Sequence, residues 1–349
     1  MSNRIARALK PATAWNVDDA SVVRAEEGRV DFADFPLHRG GRLAPVTIAW
    51  RLAGPPGAPV VAALGGISAH RCPFDSNDPR HGWWNGLVGP GLPLDTTRFR
   101  VLGIDYLGGS TGSTGPREGQ TDVSPITSRD QAIALLAVCD SLGIERLHAV
   151  AGASYGGMVG LALAELAPNR IRCVLAISAA HRSNALSTAW RAVQREILRH
   201  ALRHGDGTGG LRIARALAMT TYRTRAELDA RFPAAAQGVN GCTDFPVEDY
   251  LFARGDDYAR RHTPESFLCL SESIDLHRID PARIRVPVTL VGVAEDQLVT
   301  LDEVRELAGQ LAGPCELIEL HSIYGHDAFL KERELLAPAF AAALDGVTS

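Results

Sequence analysis

Residues 147–166 read LHAVAGASYGGMVGLALAEL. LHAVA is a short apolar run of the kind that forms a strand buried on both faces. From Gly156 to Leu166 the pattern is helical. Between the two lies Gly152-Ala153-Ser154-Tyr155-Gly156, which matches G-x-S-x-G. A strand that turns directly into a helix has no room for side chains two residues before and two after the turn, so glycine is needed at both places. The serine at such a turn sits in a strained conformation with its hydroxyl exposed. The helix N-terminus beneath it favours developing negative charge. A Gly-rich turn with an incidental serine would match the same five letters. The strand before, the helix after and the extra Gly157 make Ser154 a candidate nucleophile.

A serine nucleophile needs a base and an acid that orients the base, and with this kind of turn they follow in the order Ser, Asp, His. Asp296 comes directly after VPVTLVGVAE, and His326 lies in IYGHDAFL near the end of the chain. In these roles Ser154 would attack an acyl carbonyl and His326 would take and return its proton. Asp296 would fix the imidazole tautomer and stabilise the imidazolium. Glu295 and Asp302 are competing acids, and Asp327 is too close in sequence to fold back on His326. The other ten histidines are read as ordinary surface or buried residues. For the oxyanion, the backbone N–H groups of Tyr155 and of Leu64 or Gly65 are candidates, because Leu64-Gly65-Gly66 follows an early strand and glycine permits close approach.

Further out, Leu43–Ala53 alternates like a half-buried strand. Pro59–Leu64, Phe99–Ile104, Ile171–Ile177 and Val286–Val293 are continuous apolar runs suited to parallel strands. Ser128–Leu142 reads as a helix closed by Gly143. The alternation predicts a doubly wound, mostly parallel α/β sheet over residues 36–181 and 284–349. Residues 182–283 break it with helical patterns (AWRAVQREILRHAL, LRIARALAMTTYRTRAELDARF, ESFLCLSESIDL) and are expected to form an inserted cap. Residues 1–35 have no clear period and are expected to be a loosely attached arm.

The 349 residues are 46% apolar and 22% charged, enough for a large core, with a net charge of −4 and no basic block. Nucleic-acid binding is therefore disfavoured. No run of 18 apolar residues suggests a membrane span, and the N-terminus lacks a signal-peptide core. Six scattered cysteines without C-x-x-C spacing predict reduced thiols, no metal site and a cytoplasmic protein.

Several longer segments resemble one family, the homoserine O-acyltransferases of methionine biosynthesis, which have the α/β-hydrolase fold. These are HGWWNGLVGPG from His81, LDT from Leu94 and LGGSTGSTGP from Leu107. SYGGM from Ser154, WRAVQRE from Trp190, TYR from Thr221 and YGHDAFL from Tyr324 complete the set. They are spread over about residues 35 to 340. The resemblance implies ping-pong transfer from an acyl-CoA co-substrate through Ser154 to L-homoserine, with no bound cofactor and a homodimeric assembly. It also implies that Arg223 takes the amino acid's α-carboxylate and Asp327 its α-ammonium. Without it, Arg223 would read as a surface ion pair and Asp327 as a helix cap.

There are departures from the family. Tyr155 stands where many relatives carry Met, and GGISAHR from Gly65 differs from the loop common in acetyl-transferring members. A succinyl group carries a carboxylate that needs a cation, and Arg71 is the candidate that tilts the donor reading from acetyl-CoA towards succinyl-CoA. Leu298 stands where some succinyl-transferring relatives place an arginine. Some members acylate serine, which differs from homoserine by one methylene. A plain esterase or thioesterase is the more distant alternative.

Overall fold

The structure is a computed structural model describing residues 25–75, 78, 81–120, 124–232, 237–239 and 242–346. One eight-stranded sheet organises it. Its strands are β1 (Ala25–Phe32), β2 (Val46–Ala53), β3 (Val60–Leu64), β4 (Arg100–Ile104), β5 (Leu147–Ala153), β6 (Ile171–Ile177), β7 (Val288–Val293) and β8 (Cys315–Leu320). Their spatial order is β1-β2-β4-β3-β5-β6-β7-β8. The first two strands pair antiparallel, and β4 to β8 run parallel. The central strands β3, β5, β6 and β7 are buried almost throughout, as their continuous apolar runs require.

Helices cover both faces, with apolar clusters on each side of the sheet. Helix α1 (Ser128–Ser141) begins at a capping box in which Thr127 and Asp130 satisfy each other's backbone N–H groups. Helix α2 (Tyr155–Leu166) packs behind β5 and β6. After β7 come α8 (Leu301–Gln310), α9 (Ala328–Lys331) and α10 (Arg333–Asp345).

Between β6 and β7 the chain runs through α3 (Ala185–Arg203), α4 (Gly207–Tyr222), α5 (Arg225–Arg231), α6 (Pro246–Ala259) and α7 (Pro264–Asp275). A core of their own joins them, built on Leu198, Leu211, Ala214, Tyr258, Phe267 and Leu268. No described helix is long and apolar enough to cross a membrane.

Three expectations change. Residues 25–32, assigned to a loose arm, are an edge strand in full register with β2, while residues 1–24 lie outside the described residues. The pattern from Leu211 to Phe232 is two helices, broken where Arg223 is extended and Thr224 caps α5. Both β8 and α6 went unread. Strand β8, CELIEL, is an exposed edge with no continuous apolar run.

Candidate active site

Strand β5 ends at the turn that carries Ser154. Its φ of 53° and ψ of −120° are a sparsely populated combination for a residue with a side chain. The neighbours hold it there. Ser154 N–H donates to the Ile177 carbonyl at 2.8 Å, tying the turn to β6. A Cβ on Gly152 would run into the Gly156 carbonyl, and one on Gly156 into the Leu64 carbonyl at the end of β3. The glycines of the pattern are thus demanded by one close approach of two strands and a helix.

Two other strand ends bring in the partners. Asp296 follows β7 and is 3% exposed. Its Oδ1 accepts from the N–H groups of Leu298 at 2.8 Å and Val299 at 3.0 Å. Its Oδ2 faces His326 Nδ1 at 2.7 Å. His326 Nε2 lies 2.9 Å from Ser154 Oγ. Burial pulls the imidazole pKa down, but Asp296, by charge and hydrogen bond, outweighs it and leaves His326 above its ordinary value. The competing acids are occupied elsewhere. Glu295 holds His321 and the Ser322 N–H, and Asp302 pairs with Arg305 on the surface.

The His326 loop depends on Gly325, whose φ is +55°. It is also stitched to the break between α4 and α5, where the Thr224 hydroxyl donates to the Ile323 carbonyl. Gln297 Nε2 donates to the Arg223 carbonyl at 3.2 Å. The Trp83-Trp84 pair clamps the opposite side. Trp83 Nε1 donates to the His70 carbonyl, and Trp84 Nε1 to the Phe329 carbonyl just after His326, each at 2.8 Å.

Above these groups lies a cavity of about 250 Å³. The β3–β4 connection lines it with Gly66 to Ala69 and Trp83, the helical segment with Arg191, Arg215, Tyr222 and Phe267, and the late loops with Leu298, His326 and Asp327. Leu64 and Gly65 lead directly into that lining stretch at the end of β3. The Gly65 carbonyl is fixed by the Tyr106 hydroxyl at 2.6 Å.

Of the two expected charged ligands, Asp327 is on the cavity wall. Arg223 stands directly behind it, 8% exposed, with Nη2 3.1 Å from Asp327 and Nη1 3.4 Å from Glu227. Its buried Nε has no hydrogen-bond partner among the described residues. Burial raises the Asp327 pKa, against the attraction of Arg223, His326 and Arg215. Arg71 does not reach the site. Its Nη1 is 2.6 Å from the fully buried Asp105 and its Nε 3.2 Å from Glu27, so its charge is consumed on the outer side of the loop. Arg71 is not among the residues lining the cavity.

Elsewhere, the buried His277 is pulled to about 3, chiefly by burial, and bonds Ser128 and the Ala180 carbonyl, a structural role. Cys72, Asp75 and His81 bring one ligand atom each within 4.8 Å of one another. The Cys72 thiol, pushed to about 11 mainly by burial, donates to the Phe74 carbonyl. Cys72, Cys139, Cys173, Cys269 and Cys315 are free thiols.

Residues 75–332 match the family model described as alpha/beta hydrolase fold. A homoserine O-succinyltransferase from Xanthomonas campestris pv. campestris is 40% identical over 89% of this chain and 82% of its own. The chain belongs to the homoserine O-acyltransferase family. A homoserine O-acetyltransferase from Clavibacter michiganensis subsp. michiganensis is 34% identical over 95% of both chains. Among solved structures, homoserine O-acetyltransferase from Bacillus anthracis superposes with a TM-score of 0.82 at 20% identity, over 93% of this chain and 98% of that one. At that identity the likeness speaks for the fold. Like others of its family, the protein is an acyltransferase with an α/β-hydrolase core.

Proposed function

We propose that the protein transfers a succinyl group from succinyl-CoA to the hydroxyl of L-homoserine, a step of methionine biosynthesis, by a ping-pong mechanism on Ser154. The observation that carries the reading is His326 bridging Ser154 and Asp296 at the cavity floor, with Asp327 next to it on the wall.

In the first half-reaction His326 Nε2 takes the Ser154 proton as Oγ attacks the thioester carbonyl. The tetrahedral oxyanion would be met by the N–H of Tyr155, at the open first turn of α2, and by that of Leu64 or Gly65. The imidazolium, stabilised by Asp296, then protonates the departing thiolate, leaving succinyl on Ser154. In the second half-reaction homoserine's hydroxyl gives its proton to His326 and attacks the acyl carbon, and the proton returns to Ser154 as the ester leaves.

The wall chemistry favours an amino acid over water. Arg223 and Asp327 neutralise each other. A zwitterion can replace that pairing with two, its ammonium on Asp327 and its carboxylate on Arg223, whose geometry suits bidentate contact. Water offers neither charge. The donor reading leans on the succinyl-transferring relative being the more similar of the two reported. A second copy is read as covering the exposed Leu186, Val193 and Ile213 of α3 and α4, which gives a homodimer.

Intact-mass spectrometry tests the mechanism. Protein mixed with succinyl-CoA alone should gain one succinyl group, lose it when homoserine is added, and gain nothing as the Ser154→Ala variant. An adduct that also forms on Ser154→Ala, or that homoserine does not discharge, would sink the proposal.

A further inference from the structure

Three arginines line the cavity, and they differ in what they already hold. Arg191 is 2.7 Å from Asp275, which Arg195 also grips at 2.6 Å. Arg261, at the exposed rim, donates from its Nε to the Asp257 carbonyl at 3.1 Å. Arg215 is half-buried and has no carboxylate within ion-pair distance among the described residues. Its Nη1 reaches the Tyr222 hydroxyl at 3.3 Å. Its guanidinium lies against two aromatic rings, 5.1 Å from the centre of Tyr222 and 4.6 Å from that of Tyr258.

This arrangement is unlike a surface arginine. Two rings fix the plane of the guanidinium, so little freedom is lost when a planar anion pairs with it. Its surroundings stay cationic. Burial, then Arg215 and Arg261, hold the neighbouring His262 down at about 4, so that imidazole is neutral, and the acid whose charge acts on Arg215, Asp327, is already paired with Arg223. The Tyr222 ring also faces the catalytic imidazole, with centroids 6.0 Å apart. One tyrosine thus separates Arg215 from the reacting atoms.

We propose that Arg215 seats the terminal carboxylate of the succinyl group while that group is carried on Ser154. The inference rests on the acyl-transfer reading above and extends it to the residue that recognises the donor. Three C–C bonds put the far carboxylate about 4 Å beyond the acyl carbon. Ser154 and Arg215 line the same cavity, so a group of that length carries its charge into the space the guanidinium borders, whereas acetyl ends at its methyl and brings no charge there. Arg261 at the rim adds attraction where an anionic donor enters. The acceptor's own carboxylate is the competing ligand for Arg215, and the kinetics separate the two.

The test is initial-rate kinetics on wild type, Arg215→Gln and Arg215→Lys with succinyl-CoA and with acetyl-CoA, together with the KM for homoserine. The expected result is that the ratio of kcat/KM for succinyl-CoA to that for acetyl-CoA falls about 100-fold in Arg215→Gln, as for a lost charged hydrogen bond, and partly recovers in Arg215→Lys. Each ratio comes from a single preparation, so partial unfolding does not imitate it. An unchanged ratio overturns the proposal. So does an effect confined to the homoserine KM, or a wild type that transfers acetyl but not succinyl. A wild type whose thiol release ignores the acceptor refutes instead the transfer reading on which the proposal stands.

Discussion

The two halves of the cavity are built on different principles. On the sheet side, backbone geometry decides everything. Ser154, Asp296 and His326 stand at three strand ends, and their positions follow from a turn with φ of 53°, from glycines that cannot carry a Cβ, and from two N–H groups aimed at Asp296. On the helical side the backbone only presents side chains, and charge compensation decides what each can do. Arg191 and Arg195 share Asp275, Arg223 faces Asp327, and Arg215 has no carboxylate within ion-pair distance among the described residues. Catalytic machinery can thus be specified by local steric rules, while ligand specificity emerges from which charges the fold leaves uncancelled.

The sheet side should respond with the largest losses. Asp296→Asn removes the charge that holds the His326 tautomer, and kcat/KM should fall on the order of 10³–10⁴-fold. The pH profile sharpens this. His326 must be neutral to act as base, and its pKa is raised, so the acidic limb of kcat/KM should lie above the free-imidazole value of 6.5. Residual activity of Asp296→Asn should show that limb moved to lower pH. A limb that stays in place would mean that another group controls the base.

On the helical side the losses should be smaller and selective. Arg223→Ala leaves Asp327 buried without its partner, and kcat/KM for homoserine should fall about 10–100-fold. Acylation by the donor alone, followed in a single turnover, should fall much less. Equal losses in both half-reactions would show that Arg223 merely supports the His326 loop. The smallest effect belongs to Arg71→Ala. Its loss leaves the buried Asp105 carboxylate without its cation and should lower the melting temperature, yet the succinyl-to-acetyl ratio should stay within about twofold of wild type. A collapse of that ratio would return Arg71 to the site.

The same division governs what could be read in the sequence. G-x-S-x-G and the strand-end placements of Asp296 and His326 were legible because steric demands leave fixed residue types at fixed spacings. Buried strands such as Ile171–Ile177 were legible from unbroken apolar runs. The edge strands Ala25–Phe32 and Cys315–Leu320 were not, since one face or more meets solvent and no run forms. Arg71 was misread because its place after the strand fixes its neighbourhood but not its direction, and Asp105 is 34 residues away. Arg215 was missed for the opposite reason. It lies seven residues before Tyr222 on the same face of α4, a visible spacing, but only the fold shows that no carboxylate among the described residues comes within ion-pair distance of it.

Whether this is a transferase rests on who discharges the acyl group from Ser154. Thiol release from succinyl-CoA should therefore be followed with homoserine, with serine and with no acceptor, and the same set repeated with acetyl-CoA. Rapid release from succinyl-CoA that requires homoserine is the expected result. Release that is equally fast without any acceptor would make the protein a hydrolase and strip Arg223 and Asp327 of their assigned roles.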